Sequence, residues 1–403
     1  MPIKRINADE LELGMYVSRL DRPWRETPFE FQGFHIADAL EIEELKKQAE
    51  HVYIMIPDEE IEVSSAHRTP RPDFDTGGES KTPVRKPTVR IEQELPVARE
   101  THAQMTELIE VIETAFSSNE ELDMPRVRKT IGYMVRSIER NPDAYIWLTR
   151  MKRYSAYTYT HSLSASVWAT AFGRQMELDE QSLNDIALGT LLMDVGLTEL
   201  PEEILQKTSR LAHEEWEVIK THVRHSMKLL SGTPSISPEI MHLVATHHER
   251  LDGSGYPRGL RGAQIPLLGQ MAGIVDFYTA VTLQRPYMKA VSSSAACQLL
   301  YKQRGKYFSE KLVNGFIQTL STYPTGSMVE LNSGEVGIVA SQNPGWLLRP
   351  KIILLLNSEK KPYGSFPVVN LLDELTDRSN QPLYVIRSVP EGEFEIDIDQ
   401  ISL

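Results

Sequence analysis

The sequence predicts a multi-domain chain: a mainly α-helical bundle, preceded by a small N-terminal α/β domain and followed by a small C-terminal β-rich appendage. Three observations carry this. From Ala98 to about residue 322, apolar residues recur at helical spacing. The first 63 residues and the last 80 instead carry β-branched and aromatic runs with partial alternation. Between the first unit and the bundle, residues 64–97 hold five prolines (Pro70, Pro72, Pro83, Pro87, Pro96) among Ser, Thr, Gly and charges, a linker composition. The expected boundaries are therefore 1–63, 64–97, 98–325 and 326–403. A length of 403 residues suits two to three domains at about 150 residues each.

In the first unit, Gly14–Leu20 and Phe29–Ile36 read as strands, Ala39–Ala49 as a short amphipathic helix, and His51–Ile56 as a third strand stopped by Pro57. In the bundle, Met105, Leu108, Ile109, Ile112 and Phe116 form one stripe. Ile131, Met134, Val135 and Ile138 form another, which ends at Asn141-Pro142. Helices are expected near 159–176, 181–194, 213–231, 237–249, 266–283, 293–303 and 309–321. In the appendage, Ser327–Leu331 and Glu335–Ala340 flank Asn332-Ser333-Gly334, a hairpin signal, and Lys351–Leu356 and Leu383–Val389 are further strands.

Charge and composition narrow the function. Lys plus Arg number 43 and Asp plus Glu 56, a formal net charge of −13. Such a chain is a poor general binder of DNA or of an anionic membrane, although a local basic pocket for a phosphorylated ligand is compatible with it. No run approaches 18 apolar residues, so membrane insertion is not expected. Met1–Glu10 offers no apolar signal-peptide core. The single cysteine, Cys297, permits no intrachain disulfide, and a reducing, cytoplasmic setting is expected.

Seven of the eleven histidines fall between residues 161 and 248. His161 lies at a helix start, and His247-His248-Glu249 ends a helix whose earlier turns are apolar. Asp276 sits in the apolar run Met271–Val275, where an unpaired carboxylate is expensive. Taken singly, each reads as a packing or capping residue.

Together they resemble a family. His247-His248-Glu249-Arg250-Leu251-Asp252-Gly253-Ser254-Gly255-Tyr256-Pro257 is similar to the signature of the HD-GYP proteins, bacterial cyclic di-GMP phosphodiesterases of the HD superfamily. Tyr157–Ser162, the stretch from Leu205-Gln206-Lys207 to His222, and Asp276 through Arg285-Pro286-Tyr287 agree in order and spacing. The resemblance covers roughly residues 145–325. The first 60 residues resemble an uncharacterised domain that often precedes HD-GYP domains.

The resemblance implies an HD-type bundle holding divalent metals, iron or manganese, on His161, Asp194, His222, His247, His248 and Asp276. A bridging carboxylate, Asp194, would hold two metals, and a hydroxide between them would attack phosphorus in line. Imidazole with carboxylate suits those metals. Arg285 would grip a substrate phosphate with its bidentate fork, and Tyr256 would line the substrate site. His213, His225 and His242 match no family ligand and read as surface or packing histidines.

The sequence also departs from the family. The His-Asp doublet reads Met193-Asp194, and a thioether replaces imidazole poorly on iron or manganese. Leu197 stands where the family has a phosphate-polarising lysine, and Thr279 where it has an aspartate. One tight site (Asp194, His222, His247, His248) and one weakened site (His161, Asp194, Asp276) are therefore expected. Three functions follow: an attenuated cyclic-dinucleotide phosphodiesterase, an inactive module that binds cyclic di-GMP, or a surface that docks a diguanylate cyclase domain.

Overall fold

The computed structural model describes residues 3–12, 15–21, 34–36, 39–55, 85–118, 120–151, 157–209, 211–233, 235–283, 290–343, 346, 348–373, 375–377, 382–389 and 393–394. Arg285 and residues 29–33 of the second expected strand lie outside them. The chain divides into two compact units. The first is residues 1–84 with 345–348, and the second is the remainder.

In the first unit, strands β1 (Ile3–Asn7), β2 (Tyr16–Leu20), β3 (Phe34–His35) and β4 (His51–Met55) form an antiparallel sheet in the order β1-β4-β2-β3, with helix α1 (Ala39–Gln48) between β3 and β4 in sequence. Val17, Leu20, Leu45, Val52 and Ile54 are buried together, which is the alternation of β2 and β4 turned inward. β1 is an addition to the expected strands. Its charged Lys4 and Arg5 are exposed beside a buried Ile6, too short an alternation to register in sequence.

The second unit begins with helix α2 (Ile91–Ser118), so its first turns, Pro96 included, fall inside the stretch that composition marked as linker. Two buried polar contacts hold this start in place. Glu94 accepts from Ser137 Oγ and from Arg140 Nε, each at 2.7 Å, and Arg174 donates to the carbonyls of Arg85 (2.8 Å) and Lys86 (2.7 Å). Proline marked these residues as irregular, while tertiary pairing makes them helical.

Helices α3 (Met124–Arg140), α4 (Pro142–Met151), α5 (Tyr157–Gln175), α6 (Glu180–Leu192), α7 (Glu202–Leu205), α8 (His213–Lys220), α9 (His222–Ser231), α10 (Pro238–Thr246), α11 (Leu267–Thr282), α12 (Ser293–Gln303) and α13 (Glu310–Leu320) follow. Short polar side chains cap several of them. Asp123 accepts from Arg126 N, Asp179 from Ser182 N, and Ser237 from Ile240 N. The expected helix over 213–231 is two helices, broken at Thr221. No glycine or proline marks that break, which is why sequence missed it. α5, α6, α10 and α11 pack on one another around an apolar core that includes Leu163, Phe172, Leu188, Leu243 and Ile274.

The C-terminal appendage is an antiparallel sheet in the order β8-β7-β6-β5-β9, built from β5 (Met328–Leu331), β6 (Val336–Ser341), β7 (Lys351–Leu356), β8 (Val368–Asn370) and β9 (Val385–Val389). The expected hairpin is β5–β6, and Gly334 takes the left-handed conformation its turn needs (φ 83°). β6 packs against α4. None of the described helices is long and apolar enough to cross a membrane.

Candidate metal centre

Each candidate ligand sits where a helix begins, ends or faces the core. His161 lies in the first turns of α5, Asp194 just past α6, and His222 at the first position of α9. His247 and His248 directly follow α10, and Asp276 faces inward from the middle of α11. The break at Thr221 sets His222 at a helix start.

The turn that carries Asp194 is locked onto α9. Ser226 Oγ donates to the Met193 carbonyl and accepts from Gly196 N, each at 2.8 Å. A Cβ at Gly196 would lie 2.2 Å from the His222 carbonyl, so only glycine lets this turn approach α9 so closely.

The six side chains converge. Asp194 Oδ1 lies 3.2 Å from His222 Nε2 and 3.6 Å from His247 Nε2, while its Oδ2 lies 3.3 Å from His161 Nε2. Asp276 Oδ1 is 3.1 Å from His161 Nε2 and its Oδ2 is 3.5 Å from His248 Nδ1. Two groups able to hold a metal result among the described residues. One is Asp194, His222, His247 and His248, and the other is His161, Asp194 and Asp276. Asp194 belongs to both.

The tautomers are fixed by the backbone. His222 Nδ1 donates to the Ile219 carbonyl at 2.7 Å, and His247 Nδ1 donates to the Val244 carbonyl at 2.8 Å. A carbonyl only accepts, so Nδ1 carries a proton, and in the neutral imidazole Nε2 is the lone pair facing inward. Those two Nε2 atoms are 3.5 Å apart. With both imidazoles neutral, two lone pairs would face each other in a buried pocket unless a proton or a metal ion satisfied them. The donor set fits a divalent metal.

The electrostatics agree with that need for positive charge. Burial alone would raise Asp194, but hydrogen bonds from His161, His222 and His247 hold it well below the usual carboxylate range. Burial would lower His161, yet Asp194 and Asp276 outweigh it and push the imidazole up to about 9. His222 is raised against its burial by Asp194. His248 is held well below the usual imidazole range, first by burial and then by its neighbour His247. The buried carboxylates thus draw positive charge into the pocket, whether a proton or a metal ion.

The other expected residues fall as follows. Tyr256 stacks on His248, with ring centroids 4.6 Å apart at 26°. Its loop is held by buried Glu249, whose carboxylate accepts from Arg258 N (2.7 Å) and Leu260 N (2.9 Å). Met193 is fully buried in the apolar core. Thr279 directs its hydroxyl to the Val275 carbonyl at 2.9 Å, one turn back along α11. Leu197 is half-buried and lies on the short helix after Asp194. His213 and His242 are exposed and His225 is half-buried, all outside both donor groups. Sequence reading did not single out Trp216, an exposed aromatic on α8 whose ring meets Tyr256 edge-on at 6.5 Å. Its exposure was the missing signal, and amphipathic spacing does not report it.

Comparison with known proteins agrees with this architecture. An HD domain matches residues 138–312, a domain of unknown function (DUF3391) residues 3–127, and a KOW domain associated with HD domain residues 328–389. The cyclic di-GMP phosphodiesterase PA4108 of Pseudomonas aeruginosa is 29% identical over 366 residues, 89% of this chain and 86% of that protein. The cyclic di-GMP phosphodiesterase response regulator RpfG of Xanthomonas campestris is 32% identical over 195 residues, 48% of each chain. The 3'3'-cGAMP-specific phosphodiesterase 2 of Vibrio cholerae is 30% identical over 160 residues, 40% of this chain and 31% of that protein. The chain thus spans most of the first relative but about half or less of the other two. The chain carries an HD domain, set in sequence between a DUF3391 domain and a KOW domain, and its signature loop is similar to that of the HD-GYP proteins.

Proposed function

We propose that the chain is a metal-dependent phosphodiesterase that opens cyclic di-GMP or a related cyclic dinucleotide, with turnover lowered by Met193, Leu197 and Thr279. The observation that carries this reading is the facing pair of Nε2 atoms on His222 and His247, 3.5 Å apart beside Asp194. The names of the relatives, cyclic di-GMP and cGAMP phosphodiesterases, supply the substrate class.

Asp194, His222, His247 and His248 would hold one iron or manganese ion tightly, and His161, Asp194 and Asp276 a second more weakly. Divalent cations there supply positive charge for a phosphate and an acidified water as nucleophile. The chain's own residues set the rest. The Ile219 and Val244 carbonyls fix the two imidazoles in the ligating tautomer. Of the ligands, His248 has the most exposed side chain, at 15%, so the opening lies on its side. Tyr256 walls that opening by stacking on His248.

A second reading, binding without cleavage, rests on a specific observation. Met193 offers no donor from inside the core, and the Thr279 hydroxyl is committed to its own helix. Losing a cation that stabilises transition-state charge costs about 3–4 kcal/mol, or about 100- to 1000-fold in rate.

The test uses the purified full chain, its metal content measured first. Cyclic di-GMP is then supplied with manganese, and linear product is followed. Slow turnover is expected, and Met193→His with Leu197→Lys should raise it by at least about tenfold, or 1.4 kcal/mol in barrier. Binding with no product from either protein would favour the second reading. No binding at all would overturn both.

A further inference from the structure

Trp216 is not explained by the metal centre. Its side chain is 45% exposed, an unusual state for a large aromatic on a helix that packs against a ligand-bearing element. The rings around it are ordered outward from the cluster. His248 is stacked by Tyr256 at 4.6 Å, and Tyr256 is met edge-on by Trp216 at 6.5 Å and 84°. Lys220, one turn further along α8, holds its Nζ 5.8 Å from the Tyr256 ring centroid. Two ring-to-ring steps, of 4.6 Å and 6.5 Å, thus separate Trp216 from the candidate ligand His248. The chemistry at this distance is not that of a phosphate site. Glu215 and Glu217 precede and follow Trp216 in the chain, and Lys220 is already paired with Glu217 at 2.6 Å. A neutral planar group fits there, while an anion does not.

We infer that Trp216, with Tyr256 at its side, is the stacking platform for a purine base of the ligand whose phosphate lies at the metal cluster. This rests on the reading of the chain as a cyclic-dinucleotide protein and assigns a recognition residue to it. Trp216 is a binding residue, since it touches the base and none of the reacting atoms. Every base offers a π-face, so stacking sets affinity for purine rings and leaves the choice of guanine over adenine to other groups.

The test is binding of the non-hydrolysable bisphosphorothioate analogue of cyclic di-GMP to the manganese-loaded full chain, measured by calorimetry. Trp216→Ala should weaken affinity about tenfold or more, with manganese content and thermal midpoint unchanged, and Trp216→Phe should recover most of the loss. An exposed side chain can be removed without a cavity, so misfolding does not confuse the result. If the unmodified chain binds and Trp216→Ala binds equally well, the stacking role is overturned while the phosphodiesterase reading stands. The same holds if Trp216→Ala loses affinity only together with its manganese. If the unmodified, metal-loaded chain does not bind the analogue, the stacking role and the underlying reading both fall.

Discussion

Asp194 differs from every other candidate ligand because it belongs to both donor groups, with Oδ1 toward His222 and His247 and Oδ2 toward His161. His161 belongs to one group alone. Substituting the two should therefore give different metal counts. Asp194→Asn removes a negative charge from both groups and should abolish retention of either metal, at a cost above the roughly 10–100-fold that loss of an outer-shell partner brings. His161→Ala should leave the tighter ion in place. Elemental analysis after dialysis against a mild chelator reads both. Equal loss in the two variants would mean the groups are not separate sites. At this scale the sequence was informative for a physical reason. Candidate ligands are picked out by residue type and spacing, and a chain carries both openly. The carbonyls of Ile219 and Val244, which fix the tautomers, were illegible because every residue has a carbonyl and only the folded backbone selects two of them.

At the scale of elements, what places the ligands is where helices stop. α6 ends just before Asp194, α8 and α9 part at Thr221 before His222, and α10 ends as His247 begins. Sequence periodicity located the helices and ran through their ends. The expected helices 181–194, 213–231 and 237–249 each absorbed a ligand into a continuous run that the structure interrupts. Such an interruption costs backbone hydrogen bonds, and tertiary contacts such as Ser226 to Met193 and Gly196 offset it, which local pattern does not encode. The loop after α10 shows the same dependence. At Gly255 a Cβ would lie 2.4 Å from Arg250 N and 2.5 Å from the His248 carbonyl. Gly255→Ala must therefore push the loop off the ligand segment and carry Tyr256 away from His248. The expected outcome is weaker dinucleotide binding with the tighter metal retained, read by calorimetry alongside elemental analysis. Unchanged affinity would show that the loop yields without moving Tyr256.

Across the second unit as a whole, the bundle and the C-terminal sheet are joined by a buried carboxylate. Asp143 in α4 accepts from Thr325 Oγ1 at 2.6 Å and from Gln342 N at 3.1 Å, at the two ends of the β5–β6 hairpin. No sequence pattern pairs residues 182 and 199 positions apart, so this joint was invisible before the fold. Removing it by Asp143→Ala leaves a buried hydroxyl and a buried N–H without their acceptor, about 1–3 kcal/mol of lost stability. The loss should depend on pH. Burial raises the Asp143 carboxyl above its ordinary value, and the hydrogen bonds from Thr325 and Gln342 only partly oppose that. Between the ordinary and the raised pKa, the folded chain binds more protons at this site than the unfolded chain does. Stability contributed by Asp143 therefore falls as pH rises through that window. The advantage of the unmodified chain over Asp143→Ala should be largest in acid, below the ordinary carboxylate value, and should shrink toward neutral pH. Urea midpoints of the two proteins across that range check the sign. A difference that widened with rising pH would mean the hydrogen bonds to the ionised carboxylate outweigh its burial, and that the joint is strongest when charged.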